Sequence, residues 1–78
     1  MENNLKEKLK EIANFVIQNH LSLKDIMDEM EKTVIETALK KTNYNKVKAA
    51  NLLKLHRNTI RLKIKKLGIN DEQIIEIK

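Results

Sequence analysis

The chain of 78 residues has no cysteine, no proline and no tryptophan, and one each of glycine, phenylalanine and tyrosine. The absence of cysteine excludes a disulfide framework and any thiolate metal site. With no proline and a single glycine, a turn-rich β architecture lacks its usual turn residues, and the chain reads as all-helical with few turns. One glycine cannot build a phosphate-cradling loop. The two histidines, His20 and His56, are far apart in sequence and form no metal set, and no nucleophile–base pair stands out. An enzyme is therefore not expected, nor any cofactor or metal. No apolar run approaches the length of a membrane span and no signal peptide precedes the first polar stretch, so a cytoplasmic protein is the expectation. Two aromatic anchors are too few for a membrane-surface role. A chain of this length forms one small domain with a modest core.

What is abundant is charge, and it is segregated. Residues 1–39 carry five cations and eight anions, residues 40–66 carry ten cations and no anion, and the last twelve residues carry one cation and three anions. A solvated lysine-rich face normally interleaves glutamate. A block of ten cations without one carboxylate instead has the electrostatic footprint of a polyanion binder.

Apolar spacing sets out the helices. Leu5, Leu9, Ile12, Phe15 and Val16 fall on one face of an amphipathic helix over residues 4–19, with Phe15 as a core anchor. Ser22 is an N-cap with Asp25 three residues on, and His20 lies near the first helix's C-terminus. Residues 23–41 form the longest helix. Leu23, Ile26, Met27, Met30, Val34 and Ala38 make one stripe, and Ile35 and Leu39 widen it. A helix apolar over so much of its circumference needs more than one partner, and the simplest second partner is another copy of itself. The dimer contacts are accordingly assigned to Leu23, Ile26, Met27, Met30, Val34 and Ile35. The plain alternative is that both stripes meet elements of the same chain. Asp25, Asp28, Glu29 and Glu31 read as a solvated outer face.

Residues 45–68, NKVKAANLLKLHRNTIRLKIKKLG, hold two short helical patterns, Lys46–Leu53 and His56–Leu67, joined at Lys54-Leu55. Such a pair reads as a helix-turn-helix, whose second helix enters the DNA major groove. Asn43 or Asn45 caps the first of the two, and both tolerate left-handed backbone. Ala49-Ala50 permits close helix approach, Val47, Ala50 and Leu53 face inward, and Leu55 plugs the turn. Ile60, Ile64 and Leu67 make an apolar rail, while Arg57, Arg61 and Lys65 make a cationic rail on another face. Gly68 ends the helix as its C′ residue. Arg57, near the start of the recognition helix, has the planar fork that matches guanine O6 and N7. Asn58, Thr59 and Arg61 are near enough for base or phosphate contacts. Lys63, Lys65 and Lys66 are assigned to phosphates. Asn45, Lys46 and Lys48 start the supporting helix, where free backbone N–H groups suit a phosphate. His56 either caps the recognition helix or touches the DNA. The tail from Ile69 to Lys78 reads equally as helix and as strand.

The run from about Glu29 to Asn70 resembles the Fis-type DNA-binding domain, found in the nucleoid protein Fis and at the C-terminus of NtrC-type activators. The resemblance rests on Asn45, on Lys48-Ala49-Ala50, on Leu52-Leu53, on Arg57-Asn58-Thr59-Ile60-Arg61 and on Lys63-Ile64-Lys65-Lys66-Leu67-Gly68-Ile69. It implies a four-helix protein whose first two helices form an intertwined homodimer core and whose last two form the DNA-binding motif. It further implies a base contact at Arg57, contacts to backbone or base edges at Thr59 and Arg61, and phosphate contacts at Asn45 and Lys48. The family's duplex is bent to reach both recognition helices, which makes flexible steps part of specificity. Lys54 stands where the family usually has the turn glycine. Val47 replaces a polar residue and Leu62 a lysine, so those two contacts are in doubt.

The expectation is an all-α, single compact unit with a helical dimerisation region (1–41), a helix-turn-helix (42–69) and a tail (70–78). Its function would be that of a homodimeric, DNA-bending transcription regulator on double-stranded DNA, either nucleoid-associated or the DNA-binding part of an NtrC-type activator. The competing reading is a helical dimer whose basic face binds an acidic protein partner.

Overall fold

Four helices make up the computed structural model, which describes residues 4–75: α1 (Leu5–Gln18), α2 (Leu23–Lys41), α3 (Lys46–Leu52) and α4 (Arg57–Lys66). Each boundary has a local chemical cause. Ser22 Oγ accepts the Asp25 N–H at 2.9 Å and starts α2, as the sequence predicts. Asn45 Oδ1 accepts the Lys48 N–H at 3.0 Å and starts α3. His56 Nδ1 accepts the Asn58 N–H at 3.1 Å and starts α4, so His56 acts as an N-cap.

The helix ends share one device. In each, the residue after the C-cap lies in the left-handed region: His20 (φ 55°), Asn43 (φ 54°), Lys54 (φ 59°) and Gly68 (φ 69°). In each, the next residue's N–H reaches back five positions: Leu21 to Val16 O (3.0 Å), Tyr44 to Leu39 O (2.6 Å), Leu55 to Ala50 O (2.8 Å) and Ile69 to Ile64 O (3.0 Å). This is the Schellman closure, which satisfies carbonyls the helix leaves open. Only the last of the four uses glycine. Lys54, where the Fis-type turn usually has glycine, takes the left-handed backbone itself, and the helix end closes around it.

The core lies between α2, α3 and α4, which pack on one another. Ile35, Ala38 and Leu39 of α2 meet Ala49 and Ala50 of α3 and Ile60 and Ile64 of α4, with Ile69 closing one end. The two alanines allow the close approach expected of them. Tyr44, Leu53, Leu55, Leu67 and Ile74 pack around this cluster.

Two assignments change. Ile35, expected at a dimer interface, is 2% exposed and lies inside its own chain, because the wider stripe of α2 turns toward α3 and α4. Phe15, expected as a core anchor, is 57% exposed, and no residue of α1 is buried. The first half of the chain thus presents its apolar face outward: Leu5, Leu9 and Ile17 on α1, and Leu23, Met27 and Val34 on α2, are all exposed.

From Ile69 to Ile75 the tail is neither helix nor free strand, and residues 76–78 lie outside the described residues. Asn70 Oδ1 accepts the Glu72 N–H, Ile74 packs on the core, and Ile75 forms a single parallel bridge with Asn45. The Ile75 N–H donates to Tyr44 O at 2.7 Å, and the Lys46 N–H donates to Ile75 O at 2.8 Å. No helix among the described residues is long and apolar enough to cross a membrane.

Candidate nucleic-acid interface

The site grows from the two faces of α4. Ile60, with no exposed surface, and Ile64 are held in the core, which fixes the roll of the helix. Leu62 and Lys65, far around the helix from that pair, then point outward, while Arg57 is exposed at the first turn of the helix. Arg57, Asn58, Arg61, Lys65 and Lys66 are all exposed, and Thr59 is half-buried. The Arg61 guanidinium donates from Nη2 to Asn58 Oδ1 at 3.3 Å, so Asn58 steadies the arginine one turn on. Leu62, at 64% exposure, stands among these cations as an apolar surface residue.

Two recesses flank this helix. One, of about 290 Å³, is lined by Lys46, Val47, Arg57, Asn58 and Arg61, so the starts of α3 and α4 face a common hollow. The other, of about 610 Å³, is lined by Lys46, Arg61, Leu62, Lys65, Ile74 and Asp71 among others, and brings the tail beside the cationic rail. The first is mostly polar in character, of a size to take a backbone phosphate group.

Apart from His56, which is exposed and caps α4, the expected site residues fall into three groups. Arg57, Asn58, Thr59, Arg61, Lys65 and Lys66 are together on α4, with Lys48 exposed on α3. Asn45 is half-buried and spends its side-chain oxygen on the α3 cap. Lys46 and Lys63 are placed differently. Lys46 is only 6% exposed, covered where the tail docks, although it still lines both recesses. Lys63 turns toward α2 and pairs with Glu31, Nζ to Oε2 at 2.5 Å. It lies three residues after Ile60 and one before Ile64, on the flank of α4 nearest the core. The start of α3 also differs from its expected role. The Lys46 and Lys48 N–H groups, expected to be free for a phosphate, are taken by Ile75 O and Asn45 Oδ1.

Sequence reasoning missed Asp71, which lines the larger recess together with Arg61 and Lys65. Its signal was the clustering of anions just after the basic block. No group of three or more histidine or acidic side chains suited to a metal occurs among the described residues.

Comparison with known proteins agrees with this geometry. The chain is 49% identical over 45 residues to the DNA-binding transcriptional regulator NtrC of Rhizobium meliloti (strain 1021), covering 58% of this chain and 9% of that protein. It is 39% identical over 67 residues to Protein CrtJ of Rhodobacter capsulatus, covering 81% of this chain and 14% of the relative. It is 36% identical over 45 residues to the DNA-binding protein Fis of Aliivibrio fischeri (strain MJ11), covering 58% of this chain and 46% of that one. The chain therefore spans under half the length of each of these relatives. No solved structure gives a significant match. Residues 26–67, more than half of the chain and the whole of the α3–α4 pair, match the family model described as "Bacterial regulatory protein, Fis family". With its four helices, its helix-turn-helix and that match, the chain belongs to the Fis family of bacterial regulatory proteins.

Proposed function

We propose that this chain binds double-stranded DNA as a homodimeric transcription regulator, with α4 in the major groove and the duplex bent to meet both copies. The observation that carries the reading is the division of α4 between a buried apolar rail and an exposed cationic one. Ile60 and Ile64 lock one face to the core, and Arg57, Arg61 and Lys65 stand exposed on the other, within a block that holds no carboxylate. Arg57 and Asn58, at the start of the helix, reach base edges; Lys48, Thr59, Arg61, Lys65 and Lys66 meet phosphates and sugar. Residues 42–69 are the reading part and residues 1–41 the pairing part.

Pairing is supported by what the first two helices leave uncovered. A 14-residue helix without buried residues has little to hold it in water. Between α2 and the α3–α4 turn, a shallow apolar hollow of about 340 Å³ is lined by Met27, Met30, Val34, Leu53 and Leu55 among others. A second copy would cover both surfaces at once, which is the twofold arrangement the family resemblance implies. Of the six residues first assigned to the interface, Leu23, Ile26, Met27, Met30 and Val34 remain in it. A nucleoid-associated protein and the DNA-binding part of a larger NtrC-type activator are both compatible with this role.

The test is a gel-shift series with A/T-rich duplexes from 50 to 200 mM salt, run beside sedimentation equilibrium. Several phosphate contacts per copy predict an affinity loss on the order of 10³-fold across that range. Arg57→Ala should erode base preference by about 1–3 kcal/mol. Lys65→Ala should weaken all sequences alike, and Phe15→Asp should yield monomers with poor affinity. A salt-insensitive or absent shift would favour the acidic-protein reading instead, and a wild-type monomer at micromolar concentration would refute the pairing.

A further inference from the structure

The tail carries its own charge to the face that α4 presents. Asp71 lines the recess shared by Arg61, Lys65 and Lys46, and that recess lies along the middle and end of the recognition helix. Arg57 and Asn58, at the base-reading end, line the other recess, which Asp71 does not reach. The placement is fixed from both sides. Before Asp71, Ile69 is buried and closes the α4 terminus; after it, Ile74 packs on the core and Ile75 bonds the α2–α3 connection through two backbone hydrogen bonds. Among the described residues the Asp71 carboxylate makes no hydrogen bond or ion pair of its own, so the fold does not need its charge. Glu72 next to it is exposed and lines neither recess.

From this geometry, and resting on the DNA-binding reading above, we infer that Asp71 is the acidic edge of the DNA surface, competing with phosphates for Arg61 and Lys65. It lowers affinity for every duplex and leaves sequence preference alone, because it faces the phosphate-binding part of α4 and not Arg57. The tail is then part of the interface and not an appendage. Such a residue sets how firmly the protein holds DNA at a given ionic strength, and keeps a block of ten cations from binding any polyanion tightly.

Asp71→Asn tests this with little change of shape. One additional phosphate neutralised by each of the two copies steepens the slope of log affinity against log salt by about 1.8, which is roughly a tenfold difference between 50 and 200 mM. The variant should bind about tenfold more tightly at the lower salt, equally on a duplex enriched from a random pool and on its composition-matched scramble. Its thermal midpoint should match the wild type, and Glu72→Gln should leave affinity unchanged. The inference is overturned if Asp71→Asn binds as the wild type does, if it alters the ratio between the two duplexes, or if Glu72→Gln has the same effect, since net charge alone would then suffice. If the wild-type chain shows no salt-dependent DNA binding, the proposed function falls and this inference with it. If the wild type binds and Asp71→Asn changes nothing, only this inference falls.

Discussion

Replacing Lys54 by glycine should make the protein more stable, although it removes a whole side chain. Lys54 sits at φ 59°, in the region where Cβ crowds the following carbonyl. Holding an ordinary L-residue there costs about 1–2 kcal/mol. Glycine removes that strain, but its unfolded chain is freer, which takes back about 0.5–1 kcal/mol. The net gain is about 0.5–1 kcal/mol, or about 2–8 °C in the melting midpoint for a domain of this size. Nothing else should change, since Lys54 is exposed and its backbone bonds, Lys54 N–H to Asn51 O and Leu55 N–H to Ala50 O, are open to glycine. The assay is thermal unfolding followed by helical circular dichroism, at fixed protein concentration because pairing would couple stability to concentration. Lys54→Ala separates the causes: it removes the charge and keeps Cβ, so its midpoint should stay near that of the wild type. A glycine variant that melts no higher than the alanine variant refutes the argument.

Three further outcomes are expected. Ile60→Ala leaves a cavity in the fully buried contact of α4 and should cost about 2–5 kcal/mol, enough to unfold much of a domain this small at 37 °C by circular dichroism. Lys63→Ala, which breaks a half-exposed pair with Glu31, should lower stability by less than about 1 kcal/mol and leave the salt dependence of DNA binding unchanged, in contrast to Lys65→Ala. His56→Ala removes the side-chain acceptor at the start of α4 and should cost about 0.5–2 kcal/mol in urea unfolding, with His56→Ser restoring most of it.

Much of the fold was legible because helix periodicity and caps are local. The span of α2, the Ser22 cap, the Ala49-Ala50 approach and the apolar rail of Ile60 and Ile64 all follow from residues within a few positions of one another. The cationic rail was legible for the same reason: with Ile60 and Ile64 inside, Arg61 and Lys65 turn toward solvent, and Arg57 stands exposed at the first turn of α4. The misassigned residues all depended on distant segments. Ile35 looked equally suited to either partner of α2, and only the docking of α3 and α4 decides it. Phe15 was assigned to a core by its size, yet its helix finds no enclosing surface within the chain. Lys63 and Lys65 are two residues apart and alike in sequence, but they fall on different flanks of α4, one beside Glu31 and one not. Lys46 lost its exposure to a tail some thirty residues away. Left-handed stops at His20 and Lys54 were illegible because those residue types carry no turn signal, whereas Gly68 announces itself.

The docking of Ile75 against the α2–α3 connection bears on how this reading unit could be transplanted. The stretch that matches the family ends at residue 67, but Ile69, Ile74 and the carbonyl that receives the Lys46 N–H all lie beyond it. A graft cut at the matched boundary would open this side of α3 to water and give up the bond from the Lys46 N–H to Ile75 O. One that runs through Ile75 would carry its own seal, so the smallest portable unit is longer than the matched stretch suggests.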